Sequence, residues 1–280
     1  MQERGREKLA DKAKIFERLH RDRSYLESLG YEVLGVFLQG SQNYGLDYEG
    51  SDIDTKAIVI PYLEDIILNN KPVSTTIVLD TNEHIDVKDI RIMFETFKKQ
   101  NVNFLEILFT EYYVITERYY DLFKELLDHR EEIAHYNTHV AVNCMYGMMM
   151  EKYKAMEHPY PTIKDKIDKY GYDPKQLHHI IRMHEFLIKY MKGIDFGVCM
   201  FPNDPKYLIK VKADALISLV KAREIAPELC NEAKKLKDEY IAAHPLEVNK
   251  DVEALLDYTL YQCIKKHIKL EILSEEYYGL

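Results

Sequence analysis

The sequence lacks any run of about 18 apolar residues, so no membrane span is expected. Its opening, MQERGREKLADK, lacks the apolar core of a signal peptide, so no secretory leader is expected. It has no CxxC pair. The cysteines, at 144, 199, 230 and 263, stand far apart. That spacing sets aside a paired-thiol motif and fits free thiols in a reducing cytoplasm. Positive charge is in deficit: 38 Lys and Arg against 47 Asp and Glu give a net charge of −9. Unspecific nucleic-acid binding, which runs on phosphate neutralisation, is disfavoured, although a local basic groove is compatible with such a balance. There is no tryptophan, no internal repeat and no low-complexity stretch. His135 and His139 stand at i and i+4, but no His-Glu-x-x-His motif and no third ligand accompany them, so they read as a pair at a helix junction and not as a zinc site.

What is present is a change of character along the 280 residues. Residues 2–29 read as an amphipathic helix, with Leu9, Ile15, Leu19, Leu26 and Leu29 near helical spacing and Gly30 as its stop. Strands are expected at 33–38, 53–60, 73–79, 84–88 and 112–115, with helices at 62–68, from about 90 to 99 and from about 103. After 116 strand patterns nearly vanish. Helices are expected over roughly 117–133, 137–156, 174–192, 212–225, 228–242 and 249–273. The fold class is therefore α+β: residues 1–120 form a catalytic domain with a small mixed sheet, and 121–280 a helical domain closing a cleft over it.

One segment carries chemistry. Gly40-Ser41-Gln42-Asn43-Tyr44-Gly45 follows the first strand, and Gly50-Ser51-Asp52 turns the chain into the second, Ile53-Asp54 onward. A Gly-Ser turn opening a short helix exposes backbone N–H groups and a hydroxyl to an anion. Asp52 and Asp54, two apart on a strand, leave on one face and call for a cation between them. Mg²⁺, or Mn²⁺ in its place, is the natural choice, since it takes a few carboxylates and completes its shell with phosphate oxygens and water. A third acid is expected from His84-Ile85-Asp86-Val87-Lys88-Asp89. Ile85 and Val87 should pack inward, which puts Asp86 on the opposite face with His84 and Lys88. Asp89, directly before an apolar helix, fits an N-cap better. Asp86 would also be placed to take a proton from an attacking hydroxyl. Lys56 shares the Asp54 face and could meet a phosphate or bridge a carboxylate. Lys175, His179 and Arg182, at i, i+4 and i+7, share one helical face that could hold a triphosphate and base, and Tyr172 could stack on the base. Asn101, Asn103 and Glu106 read equally well as helix caps and braces.

GSxxYG followed by SDxD on the next strand resembles the DNA polymerase beta nucleotidyltransferase superfamily. More narrowly, the chain resembles a group of predicted bacterial and phage nucleotidyltransferases associated with RNA repair, whose pattern also includes Asn101-x-Asn103-x-x-Glu106-x-Leu108 and Tyr172-Asp173-x-Lys175-x-x-x-His179-x-x-Arg182. The chain departs from that pattern at Pro174, in place of Thr or a similar residue, which is benign at a helix start. The likeness spans about residues 33–225. It implies a phosphate contact at Ser41, metal ligation by Asp52, Asp54 and Asp86, and nucleotide contacts from the helical domain; Gly40 would let the backbone approach the nucleotide, and Tyr44 would either touch it or pack beneath the turn. The expected activity is metal-dependent transfer of a nucleoside monophosphate from an NTP to an acceptor hydroxyl, with release of pyrophosphate. The acceptor is left open among protein, RNA and small molecule. One alternative is addition to a nucleic-acid 3′ end, with Lys206, Lys210, Lys212 and Lys221 as groove candidates. The other is a nucleotide-binding module without turnover.

Overall fold

The computed structural model describes residues 4–48 and 51–278, with side chains placed over 12–48 and 51–274. The expectations on Leu9, on Gly50 and on the residues after Ser274 lie outside that set.

The elements run α1 (Arg4–Ser28), β1 (Glu32–Gln39), a 3₁₀ turn (Ser41–Tyr44), β2 (Asp54–Ile60), α2 (Leu63–Ile67), β3 (Ser74–Val78), β4 (His84–Asp89), α3 (Ile90–Lys98), α4 (Val102–Leu105), β5 (Tyr113–Ile115) and α5 (Glu117–Asp128). From there the chain is helical: α6 (Arg130–Ala134), α7 (Thr138–Ala155), α8 (Lys164–Tyr170), α9 (Pro174–Met191), α10 (Phe196–Cys199), α11 (Pro205–Ala213), α12 (Leu219–Ala243) and α13 (Lys250–Tyr278).

The five strands lie in the order β3-β4-β2-β1-β5. β2 is antiparallel to β1 and parallel to β4. The mixed sheet sorts its side chains by alternation. One face holds Val36, Leu38, Ala57, Val59, Ile85 and Val87, covered by Ile15, Leu19 and Leu26 of α1. Each of these large side chains, fully buried, contributes about 1.5–3 kcal/mol. α1 is also tied down by polar groups: the Thr55 hydroxyl donates to Asp22 at 2.6 Å and Arg18 to the same carboxylate at 2.7 Å. The other face, with Leu34, Phe37, Ile58 and Ile60, belongs to a core that continues through α3, α5, α7, α9 and α12 into α13. The sheet and the helical part thus share one apolar interior.

The last helix returns to the sheet. Glu271 accepts the Leu63 N–H at 3.0 Å, Lys98 meets Asp257 at 2.6 Å, Lys266 donates to the Arg118 carbonyl at 2.5 Å, and the His267 ring packs edge-on to Tyr62.

Four expectations need correction. The helix expected over 117–133 breaks at His129 into α5 and α6. The stretch 161–170 carries a 3₁₀ turn and α8, and 193–211 carries α10 and most of α11. The helix expected over 212–225 is interrupted at 214–218, and its remainder joins the one expected over 228–242 through Pro227 in a single helix, Leu219–Ala243. Its buried stripe of Ala222, Ala226, Cys230 and Ala233 runs through the proline at helical spacing, and packing outweighs the lost N–H. The helix expected over 2–29 ends at Ser28, followed by Gly30 in the left-handed region, as its stop required, while Leu29 faces solvent.

Candidate active site

Because β1 and β2 are antiparallel, the end of one lies beside the start of the other. Gln39 pairs with Asp54. The Gly40-Ser41 turn and the Asp54 carboxylate are neighbours for that reason. Gly40 has φ 85 and ψ −156, a backbone state reserved for glycine, and a Cβ there would sit 3.6 Å from Asp54 Oδ2.

The turn is pinned from below and from both sides. The Gly40 N–H donates to Glu106 Oε1 at 3.0 Å. Asn43 Nδ2 donates to the Leu38 carbonyl at 3.0 Å, and Asn43 Oδ1 accepts from Thr110 at 2.7 Å. Gln42 donates to the Asp52 carbonyl at 3.2 Å. Tyr44 is buried, with the Arg182 guanidinium 4.1 Å above its ring. Burial raises the Tyr44 phenol well above its ordinary range, with Arg182 opposing that shift. The turn is a four-residue 3₁₀ helix, too short for a sizeable macrodipole. It offers local donors instead: the first N–H groups, of Ser41 and Gln42, have no partner within the turn.

Asp86 lies on the face that alternation assigned to it. In the parallel register it faces Lys56, and its oxygens meet Lys56 at 2.9 Å and Lys88 at 2.8 Å. Lys56 is buried, 3.7 Å from the centre of the Phe104 ring, so its carboxylate-bridging role is the one seen. Asp89 caps α3, accepting from the Arg91 N–H at 2.8 Å and from the Arg91 side chain. Asp54 sits diagonally from Asp86 on the same face, a spacing of roughly 7–8 Å between Cα atoms for such neighbours. Asp52 is exposed at the turn before β2. Among the described residues no three carboxylate, imidazole or thiol groups converge as a ligand set. Asp86 is held by Lys56 and Lys88. Asp54 and Asp86 share a face, Asp52 lies in the turn outside β2, and the donor chemistry of all three is carboxylate oxygen, which fits a hard divalent cation.

The helical part faces these acids with cations. Lys212 of α11 sits 5.1 Å from the centre of the Tyr48 ring, within electrostatic reach of Asp54, Asp52, Lys175 and Lys166. Burial first, then Lys175, pushes the Lys212 ammonium below its ordinary value. Lys175 is exposed in the first turn of α9, whose N-cap Asp173 accepts its N–H at 3.1 Å. His179 and Arg182 lie deeper on α9 and line a small cavity apart from the acids. Tyr172 is placed otherwise than expected: it is 1 % exposed, its hydroxyl donates to the Ile217 carbonyl at 2.5 Å, and it presents no ring face to a base. Lys221, paired with Glu224 on α12, stands apart from Lys206, Lys210 and Lys212 of α11. His135 and His139 bond to the carbonyls of Glu131 and His244.

Glu106, read from the sequence both as part of the family pattern and as a helix brace, lies behind the turn. It is 4 % exposed, and burial raises its carboxyl above the usual range, against the pull of Arg182. A cavity of about 450 Å³ lies elsewhere, between His135–Thr138 and the 244–249 segment, and none of Asp52, Asp54 and Asp86 lines it.

A family model described as RlaP, the RNA repair pathway DNA polymerase beta family, matches residues 11–184. No curated protein matches the chain.

Proposed function

The chain belongs to the RNA repair pathway DNA polymerase beta family, and from that membership we propose that it transfers a nucleoside monophosphate from an NTP to an acceptor hydroxyl. In the proposed reaction the acceptor oxygen forms a bond to the α-phosphorus, the bond from that phosphorus to the bridging oxygen breaks in line, and pyrophosphate leaves. The observation that carries the reading is the closeness of the Gly40-Ser41 turn to Asp54, which pairs with Gln39, with Asp86 on the same face of the neighbouring strand. A bend with backbone donors beside a carboxylate is of use to a protein that handles a nucleotide together with a cation.

In this reading Ser41 and the first N–H groups of the turn bind the triphosphate. Lys175 and Lys212 offset its charge from the helical side, and Lys56 supports Asp86. Asp86 receives the proton of the attacking hydroxyl. Asp52, Asp54 and Asp86 would hold Mg²⁺ or Mn²⁺, which when bound supplies charge neutralisation at the phosphates. The protein's remaining contribution is positioning. Residues 1–120 serve as the catalytic part, and 121–280 close the nucleotide cleft.

The test is incubation with α-labelled NTPs and Mg²⁺ against RNA, protein and small-molecule acceptors. Label should move to one class of acceptor, and Asp54→Ala should abolish it. NTP binding with no transfer to any acceptor would favour a module without turnover. A second reading, with an RNA 3′ end as acceptor, is favoured by the family's description and by exposed Lys206 and Lys210, one turn apart on the helix that carries Lys212. It predicts RNA affinity that falls steeply with salt.

A further inference from the structure

A cavity of about 110 Å³ opens between the start of α4, the end of α7 and the middle of α9. Asn103, Met148, Lys152, His179, Arg182 and Met183 line it. Four of these side chains bring N–H donors and none brings a carboxylate. Two of them, Lys152 and Arg182, are formal cations.

Arg182 is 4 % exposed, and its Nε has no hydrogen-bond partner among the described residues. A buried guanidinium donor left unpaired is costly, and its natural complement is an anion with several acceptor oxygens. One side of that guanidinium covers Tyr44. Lys152 is paired only with its chain neighbour Glu151, whose side chain is 70 % exposed. Such a surface pair contributes little and yields readily to an incoming anion. His179 is held neutral by burial and by the surrounding His178, Arg182, Lys175 and Lys152, so its ring can still donate one N–H.

Size narrows the ligand. A cavity of about 150 Å³ takes a benzene ring, so a space of about 110 Å³ suits one tetrahedral oxyanion and not a nucleoside. We propose that this cavity is a phosphate-group subsite, distinct from the Gly40-Ser41 turn, that takes a free phosphate or the terminal phosphomonoester of a larger molecule. The two sources share one chemistry, a dianionic tetrahedral group. This subsite goes beyond the transfer reaction and does not depend on it.

Imidazole NMR of the full chain tests the assignment. Inorganic phosphate should raise the proton affinity of His179 about tenfold, saturably, while His178, bonded to the Leu208 carbonyl, stays unchanged. Lys152→Met, a substitution at a partly exposed helix position, should weaken phosphate binding tenfold or more, and Lys152→Arg should restore it. Ser41→Ala and Asp54→Ala should leave binding intact, even though Asp54→Ala stops transfer, so loss of the subsite and loss of the activity are separable. Competition by a 5′-phosphorylated oligoribonucleotide but not by its 5′-hydroxyl twin assigns the subsite to a phosphomonoester. Competition by neither assigns it to free phosphate. No response of His179 to millimolar phosphate, no effect of Lys152→Met, or abolition by Ser41→Ala each overturns the proposal.

Discussion

The N–H of Gly40 is bound to the carboxylate of Glu106, 66 positions away, at 3.0 Å. That bond fixes the first amide of the Gly40-Ser41 turn to a buried acid behind it. Glu106→Ala should leave a buried N–H unpaired, cost about 1–3 kcal/mol of stability and reduce nucleotidyl transfer. Glu106→Gln keeps an acceptor oxygen and should retain most of both. Urea unfolding and turnover, measured side by side, check the pair.

Gly40→Ala introduces a Cβ where φ is 85 and the nearest side-chain atom is Asp54 Oδ2. Backbone strain of this kind is on the order of 1–3 kcal/mol. The variant should fold less stably and lose transfer more severely than its stability loss explains. Gly45→Ala, also at positive φ but with open space around its Cβ, should show the stability loss with far milder loss of activity.

Asp86 and Asp89 separate chemistry from capping. Asp86→Asn should abolish transfer and also lower the unfolding midpoint, because the buried Lys56 ammonium loses its counter-charge. Asp89→Ala should cost about 1 kcal/mol as a lost helix cap and leave turnover largely intact. The reverse outcome would move the third acid to Asp89.

Lys88 competes with any cation for Asp86, which it meets at 2.8 Å. Lys88→Met should therefore lower the Mg²⁺ concentration giving half-maximal transfer, by roughly threefold to tenfold for about 1 kcal/mol of removed competition. A Mg²⁺ titration of the two proteins decides it. An unchanged requirement would remove Asp86 from the cation site.

His178 gives a pH signature. Burial lowers its pKa from the ordinary 6.5 to about 4, and its Nδ1 lies 2.9 Å from the Leu208 carbonyl. Between those two values the unfolded chain binds the proton that the folded chain refuses. Stability from this group is complete above pH 6.5 and falls on acidification toward pH 4, by up to about 3 kcal/mol. Denaturation of wild type and His178→Gln at pH 7 and pH 4.5 should show the difference narrowing at the lower pH.

Much of this arrangement was legible in the chain itself. Apolar alternation at Ile85 and Val87 was enough to aim Asp86 and to give Asp89 to the helix, because a strand's period of two leaves no other choice. The pairing of turn and Asp54 followed from two strands joined by a short connection. What stayed hidden depended on tertiary neighbours. Lys56 and Lys88 as paired partners of one carboxylate needed the β2–β4 register, which spans a long connection. The burial of Tyr172 needed the 217 carbonyl. Glu106 beneath Gly40 and Lys212 opposite Asp54 join segments that no local pattern relates.

The clamp of the final helix on Leu63, Lys98 and Arg118 bears on biosynthesis. A nascent chain emerges at about 5–20 residues per second, so the sheet waits roughly ten seconds or longer for the segment that covers its flank. Through that interval the nascent chain exposes apolar surface that Val252, Leu256 and Cys263 of α13 go on to cover, and ribosome-associated chaperones have their opening there.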